Sequence, residues 1–491
     1  MFYIYRNQNN YPMKNFYLLL FFLTTSFFAF AQTEFITTWE VNDNDLSITI
    51  PTTGTGYDYS IDFGDGNSEN NITGDVTHTY NSAGIYTVTI SGNFPRIYFS
   101  DNQTDADKIL SINQWGSNPW QSMQSAFAGC SNLQILAVDT PDLSQATNLN
   151  FMFSSTEVNQ PINNWDVSNI TSMRGIFFAA TNFNQPLDNW DVSNVTDMSY
   201  MFTAASAFNQ PLNNWNVSNV TNMESMFSSN QSFNQSLNNW DVSNVINMES
   251  MFSASIFNQP IDNWNVSNVT NMNFMFMSSQ FNQPLNNWNV SSVTKMDNMF
   301  SSTENFNQPL SNWDVSNVTT MFAIFSLAEN FNQDLSNWNF NPAVDFRRIV
   351  SSSNLDIENY DALLAHFVEL GYTNKIFRGI DLIYCNENDR NFLINNLGWD
   401  ISEDTPAENC NLSTMNVNSP NFTLYPNPTS GIVFIASPNK NIIQTIEILN
   451  INGQKIQTIK KSFEKIDLSQ FSSDIYFLKI NGTITQKIIK K

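Results

Sequence analysis

Imidazole chemistry has little to work with in this chain, whose two histidines, His78 and His366, lie in stretches of quite different character. A general base, a proton relay or a zinc cluster needs such groups close to each other or to a nucleophile, so this distribution argues against all three. A carboxylate pair, the device of glycoside hydrolysis, is the least implausible route to catalysis, yet no pair stands out. The chain therefore reads as a non-enzyme with no cofactor and no catalytic metal. Asp62, Asp65 and Asp75 carry one reading as calcium ligands and another, which we prefer, as turn residues that satisfy their own backbone. Of three cysteines, Cys385 and Cys410 lie 25 residues apart in a segment without repeats. In an exported chain they form the natural disulfide, whereas Cys130, inside a repeat, reads as a small buried apolar residue.

What would position any site is a repeat. Trp165, Trp190, Trp215, Trp240, Trp264, Trp288, Trp313 and Trp338 are spaced 25, 25, 25, 24, 24, 25 and 25 residues apart. A methionine follows eight residues after each of the first seven, and a phenylalanine twelve after. Weaker copies precede them at Trp115 and Pro141, and the copy after Trp338 decays near Leu355. About ten units, atypical at both ends, are what a capped stack of coils requires. Within a unit, "NWDV" alternates with strand period and "VTxMxxMF" spaces its apolar residues as a short helical turn does. The expected fold is mainly β with short helical turns, each coil pairing its strand in parallel with the next at roughly 4.8 Å, so that ten coils span about 45 Å.

The row Asn159, Asn184, Asn209, Asn234, Asn258, Asn282, Asn307 and Asn332 is invariant among copies. One reading is a ligand-facing amide ladder; the other, which we prefer, is an internal ladder bonded to backbone at a turn. The candidate ligand face consists of the variable positions after each tryptophan: Asp166, Asp191, Asn216, Asp241, Asn265, Asn289, Asp314 and Asn339. The tryptophans themselves are the expected repeat core.

The recurring "WDVSNVTxMxxMF...FNQPLxNW", headed by "AFAGCSNLQIL" from Ala126 to Leu136, resembles the BspA-like leucine-rich-repeat surface proteins of bacteria. That resemblance implies a leucine-rich-repeat-type solenoid of about ten 24–25-residue coils over residues 108–355, displayed for adhesion. Before it, residues 32–100 contain "DFGDG...HTY...GIYTVTI", similar to the polycystic-kidney-disease (PKD) domain, with Asp62 in place of the usual aromatic. After it, 356–412 reads as a cap of two helices and a strand. The tail, 421–491, resembles the type IX secretion sorting domain through Tyr425-Pro426-Asn427-Pro428, Gly431, Asn452-Gly453 and Ile475-Tyr476-Phe477, with Asp474 where the family has Gly. These resemblances imply small Ig-like β-sandwiches flanking the solenoid, and the secretion machinery as a partner.

Residues 1–31 hold Arg6 and Lys14, an apolar run from Phe16, and Ala29-Phe30-Ala31, which together read as a signal peptide. No later apolar run is long enough to span a bilayer as a helix. Residues 32–420 carry forty acidic against nine basic groups, while 421–491 carry four against nine lysines. An acidic body lacks the basic stripe that nucleic acid requires. The expectation is a secreted or surface-attached binding module for an extracellular protein or polysaccharide, the alternative being a passive component of a surface layer or matrix.

Overall fold

A computed structural model describes residues 33–99, 105–410 and 423–491, the last range without 426, 437–442, 444, 452–453, 462, 464 and 481–483. The signal peptide read over 1–31, Pro426 and the Asn452-Gly453 turn lie outside the described residues. The chain divides into two compact units, Met1–Pro406 and Ala407–Lys491, and is mainly β with few helices.

The first unit opens with β1 (Phe35–Val41), whose Phe35, Thr37, Trp39 and Val41 are buried in strict alternation, as expected where one sheet face packs on a core. Then follow β2 (Ser47–Ile50), β3 (Asp58–Asp62), β4 (Ser68–Ile72), β5 (Val76–Thr79) and β6 (Gly84–Asn93). The Asp65-Gly66 turn connects β3 to β4 as an antiparallel hairpin. Gly64 is required there, because a Cβ would collide with the Thr87 carbonyl. β7 (Ile109–Gln114) and β8 (Gln134–Ile135) complete a six-stranded sheet ordered β4-β3-β6-β1-β7-β8, with β2 and β5 paired separately. β7 and β8 run parallel, matching Ser111 with Gln134, so the N-terminal sheet is already built partly from the first repeat. Residues 94–99 act as a rung beneath that repeat: Phe99 N–H donates to Ser125, as Ser125 donates to Asn150.

From there, successive copies stack in register. In one copy the N–H groups of Met223, Ser225, Phe227 and Ser229 donate to carbonyls of Asn247, Glu249, Met251 and Ser253 in the next. The intervening Met226, Ser228 and Asn230 donate three residues back within the copy. The expected helical turn is therefore absent. A helix turns every N–H back along its own axis, whereas here every second one leaves the copy. That alternation places a left-handed residue at Ser225 (φ 54°) and again at Ser229 (φ 57°), and equivalent positions recur throughout the array. The expected strand at "NWDV" is also displaced: Trp240 and Val245 N–H close turns onto Leu237 and Val242, and the parallel bridges fall just before the first methionine, at Ser172, Asp197, Asn222, Asn247, Asn271, Lys295 and Thr320. The alternation of faces nonetheless holds, with Trp240 and Val242 buried and Asp241 exposed.

Side chains stack as the backbones do. The phenylalanines from Phe153 to Phe325 that close each "MxxMF" lie 5.5 to 6.2 Å apart, centroid to centroid. Each is fully buried, worth on the order of 1.5–3 kcal/mol per ring. One continuous core runs from Phe35 to Ile401.

The upper end of this unit holds α1 (Ile357–Leu370), β9 (Ile376–Arg378), β10 (Ile383–Tyr384), α2 (Glu387–Asn395), β11 (Asp400–Ser402) and β12 (Thr405–Pro406). Ser352 N–H donates to Ile380, continuing the inter-copy bonding into the cap. Phe367 of α1 and Trp399 close over Phe346 at 5.0 and 5.5 Å. A buried Asp404 carboxylate receives the Arg390 guanidinium in a fork of 2.7 and 2.8 Å and the Tyr360 hydroxyl at 2.8 Å.

The second unit contains β13 (Thr423–Tyr425), β14 (Ile432–Ala436), β15 (Ile446–Leu449), β16 (Lys455–Ile459), β17 (Lys465–Asp467), β18 (Ile475–Ile480) and β19 (Ile484–Ile489). A three-stranded sheet, β13-β14-β17, and a four-stranded one, β16-β15-β18-β19, enclose Val433, Ile448, Ile466 and Leu478. Asp474 is not among the left-handed residues. Its carboxylate accepts the Ile475 N–H at 2.7 Å, so the turn into β18 forms without a glycine-like conformation.

Candidate functional site

Most polar side chains of a coil are consumed in joining it to its neighbours. The Asn159 row is an internal ladder: each amide oxygen accepts the backbone N–H of the next member, from Asn159–Asn184 at 2.9 Å to Asn307–Asn332 at 2.9 Å. The following glutamine donates to the same oxygen, as Gln235 does to Asn209. At the top Asp356, the N-cap of α1, takes the next rung on Asn332, with Asn359 in the glutamine's place. At the bottom, Ile135 of β8 donates to Gln160, and the amide ladder takes over from the backbone ladder. The indole N–H of each tryptophan from Trp190 to Trp338 reaches a carbonyl one coil back, as Trp240 does to Leu212 at 2.9 Å. Trp165 is buried as well.

The positions after the tryptophans, Asp166, Asp191, Asn216, Asp241, Asn265, Asn289, Asp314 and Asn339, are all exposed. From Asp166 to Asp314 each side chain accepts the N–H of the serine two residues on, in Asx turns. Bonds from those serines, the side-chain hydroxyl foremost, hold the four aspartates below the usual carboxylate range. Asp and Asn serve this turn equally, which accounts for their interchange. A neighbouring column forms a shallow groove lined by Asn219, Thr221, Asn244, Ile246, Asn268 and Thr270, where Ile246, half-exposed, interrupts a row of threonines.

Chemical variety is concentrated elsewhere, in the two residues between the methionines of "MxxM". They read Asn150-Phe151, Arg174-Gly175, Ser199-Tyr200, Glu224-Ser225, Glu249-Ser250, Asn273-Phe274, Asp297-Asn298 and Phe322-Ala323 from copy to copy. Sequence reasoning passed over them, although their spread of types against a fixed frame was the available signal. The first of each pair needs an acceptor for its N–H, supplied two residues earlier by Asn148, Asp197, Asn222, Asn247 and Asn271. Where that place holds Ser172, Lys295 or Thr320, Asn150, Asn273 or Asp297 of the copy before accepts instead.

The remaining members interlock sideways. Arg174 lies 4.7 Å over the Tyr200 ring and 5.9 Å from that of Phe151. The Tyr200 hydroxyl donates to Glu224, whose other oxygen accepts from Asn247, and Asn271 donates to Glu249 at 2.7 Å. Burial, with the Glu224 carboxylate second, pushes the Tyr200 phenol up to about 12. The second member of each pair is left-handed, at φ 55° for Phe151, 60° for Tyr200 and 59° for Phe274. Gly175 occupies the same place because a Cβ there would strike the Phe151 ring.

The aspartates of the N-terminal module do not converge. Asp62 accepts from Gly64, Asp65 from Asn67 and His78, and Asp75 from Thr52. Burial alone would raise the Asp65 carboxyl, but the bonds from His78 and Asn67 outweigh it and hold it at about 2. Among the described residues, no group of three or more His, Cys, Asp or Glu could hold a metal ion. Cys385 and Cys410 are disulfide-bonded, and Cys130 is free, with its buried thiol pushed up by desolvation.

Three family models match the chain. A Mycoplasma protein family of unknown function, DUF285, matches in overlapping segments 121–231, 211–288 and 256–362, the PKD domain matches 34–94, and the secretion system C-terminal sorting domain matches 423–491. None is a catalytic type. Beta-agarase A of Zobellia galactanivorans is 36% identical over 69 residues, 14% of this chain and 13% of that protein, so the chain spans only a small part of this relative's length. No solved structure matches. No helix among the described residues is long and apolar enough to cross a membrane. The sorting domain marks the chain for export through type IX secretion, to the cell surface or the extracellular space.

Proposed function

We propose that the chain is an exported, non-catalytic binding or adhesion module, a solenoid of the BspA-like kind that presents its outer face to an extracellular protein or glycan. One observation carries this reading: the frame residues repeat almost letter for letter, while residue types vary widely at partly buried positions between the methionines, where the frame's hydrogen bonds hold them. A purely passive rod has no use for that division. Preorganised side chains lose little freedom when a ligand arrives. The likeness to Beta-agarase A is too short to support an enzymatic reading, and the two histidines are each held in structural bonds, His78 to Asp65 and His366 to the Trp338 carbonyl. The test is a binding screen of the purified exported protein against extracellular matrix proteins and polysaccharides. Saturable retention on one class is expected. A protein that saturates with none, yet is incorporated into the surface layer, is the passive component instead.

A further inference from the structure

We infer that the strip running over Phe151, Arg174, Tyr200, Glu224, Glu249 and Phe274 is a binding site for a neutral polysaccharide chain lying along the stack; this rests on the binding-module reading above. The argument begins with backbone cost. The second inter-methionine position is left-handed in every copy, a conformation that Gly and Asn adopt readily and that is strained for bulky residues. Gly175 and Asn298 show that the frame accepts both at this position. The chain nevertheless places Phe151, Tyr200 and Phe274 there, and strain of that kind marks sites where something other than stability is selected.

The chemistry of the strip narrows the ligand. Its aromatic rings are half-buried, and none of the exposed large apolar side chains lies within it. It therefore lacks the protruding apolar anchors on which protein interfaces turn, while half-buried rings can pack against the C–H side of a sugar. Glu224 and Glu249 are fixed by Tyr200, Asn247 and Asn271 and keep acceptor lone pairs for hydroxyl groups. Copies recur at roughly 5 Å, about the length of one pyranose ring, so a linear polymer lying along the stack meets one inter-methionine pair per sugar. With the flanking column counted, Glu224, Glu249 and Asp197 outnumber Arg174 and Lys295, and like charges disfavour a polyanion.

Affinity electrophoresis of the full exported chain, with a β-1,3-glucan, a galactomannan and an unsulfated galactan as probes, tests this directly. Alginate and a sulfated galactan serve as polyanionic counter-probes, and a panel of matrix proteins is run alongside. At least one neutral polysaccharide should retard the protein. Y200N and F274N should each weaken that retardation at least ten-fold, and F274N should leave the melting temperature equal or higher, because asparagine relieves the left-handed strain. Y200F, which keeps the ring, should stay within a few-fold of the parent. Should Y200N fail to fold, F274N, whose side chain has no hydrogen bond to lose, decides alone. Retardation only by polyanions, or unchanged retardation in both asparagine variants, overturns the assignment. Saturable binding to a matrix protein without any to the neutral glycans overturns it too, but leaves the binding-module reading standing; no saturable binding to anything removes both.

Discussion

The repeat stack and the C-terminal sandwich hold themselves together by different means. In the sandwich the ladders are backbone to backbone, as in the pairing of β18 with β19 from Ile475–Ile489 to Ile480–Ile484, and the core is aliphatic, built on Val433, Ile446, Ile448 and Leu478. Any residue that fits a pleated, half-buried surface serves there. In the stack, much of the joining is done by particular side chains: the asparagine of "FNQ", the tryptophan indole, and the asparagine of each "SN" pair, as Asn244 donates to the Ser218 carbonyl. A backbone ladder tolerates substitution; a side-chain ladder fixes letters. This is why one region spells the same sentence repeatedly and the other does not.

The most damaging test of that contrast is Trp240→Ala. It removes a ring that is 3% exposed and leaves the Leu212 carbonyl without its indole donor, at a cost of about 3–5 kcal/mol. Hydrogen exchange should show opening confined to neighbouring copies, since each contacts mainly the next, while the sandwich stays protected. Loss of protection in both units at once would show that the stack is not a set of local joints. Arg390→Ala should be nearly as severe, because it strands the Asp404 carboxylate, whose side chain is 0% exposed, and breaking such a pair costs about 3–5 kcal/mol. Its signature in a denaturant melt is early release of the cap.

Asn234→Ala tests the ladder itself. Its amide oxygen serves both Asn258 N–H and the Gln259 side chain, so the cost should be about 1–3 kcal/mol, several times that of an ordinary surface change. A loss below 0.5 kcal/mol on the scale of surface substitutions would mean that the invariance of this column has another source. Asp241→Asn should cost less than about 0.5 kcal/mol, since Asn216 and Asn289 make the same turn in other copies. Smallest is a pH effect in the N-terminal module. The Lys108 ammonium beside Asp45 holds its carboxyl at about 2, and Asp65 is held equally low. A folded value below the unfolded one gives stability that is complete above about pH 4 and lost as pH falls toward 2. An acid titration that follows exchange in β2 to β6 should show this loss before any change in the coils around Trp240.

The period and the buried columns were legible in the sequence because they depend on apolar spacing, which survives any detail of backbone path. The alternation of Trp240 and Asp241 was legible for the same reason. The path itself was not. Inter-copy bonds at every second residue, with left-handed residues at Ser225 and Ser229, produce apolar spacings of three and four that a helical turn produces equally well. The joining of β7 to β1 was hidden too, since nothing in "ILSINQ" says that its partner is a strand some seventy residues earlier. On the surface, attention went to the column that exchanged Asp for Asn, where the exchange is neutral, rather than to the inter-methionine pair, where Arg174, Ser199 and Glu224 replace one another and Tyr200 takes the place of Gly175.

The joints at the two ends of the array carry a consequence for how such a gene can change. Phe99 docks on Ser125 by the bond that every later copy repeats, and Asp356 takes an ordinary rung on Asn332. The interior copies between these ends are joined by the same bonds throughout. Duplication or loss of a unit by slippage between near-identical DNA segments would thus lengthen or shorten the array by roughly 4.8 Å per copy, with both ends still seated, and lineages carrying this gene should differ in copy number more readily than in the sequence of the joints.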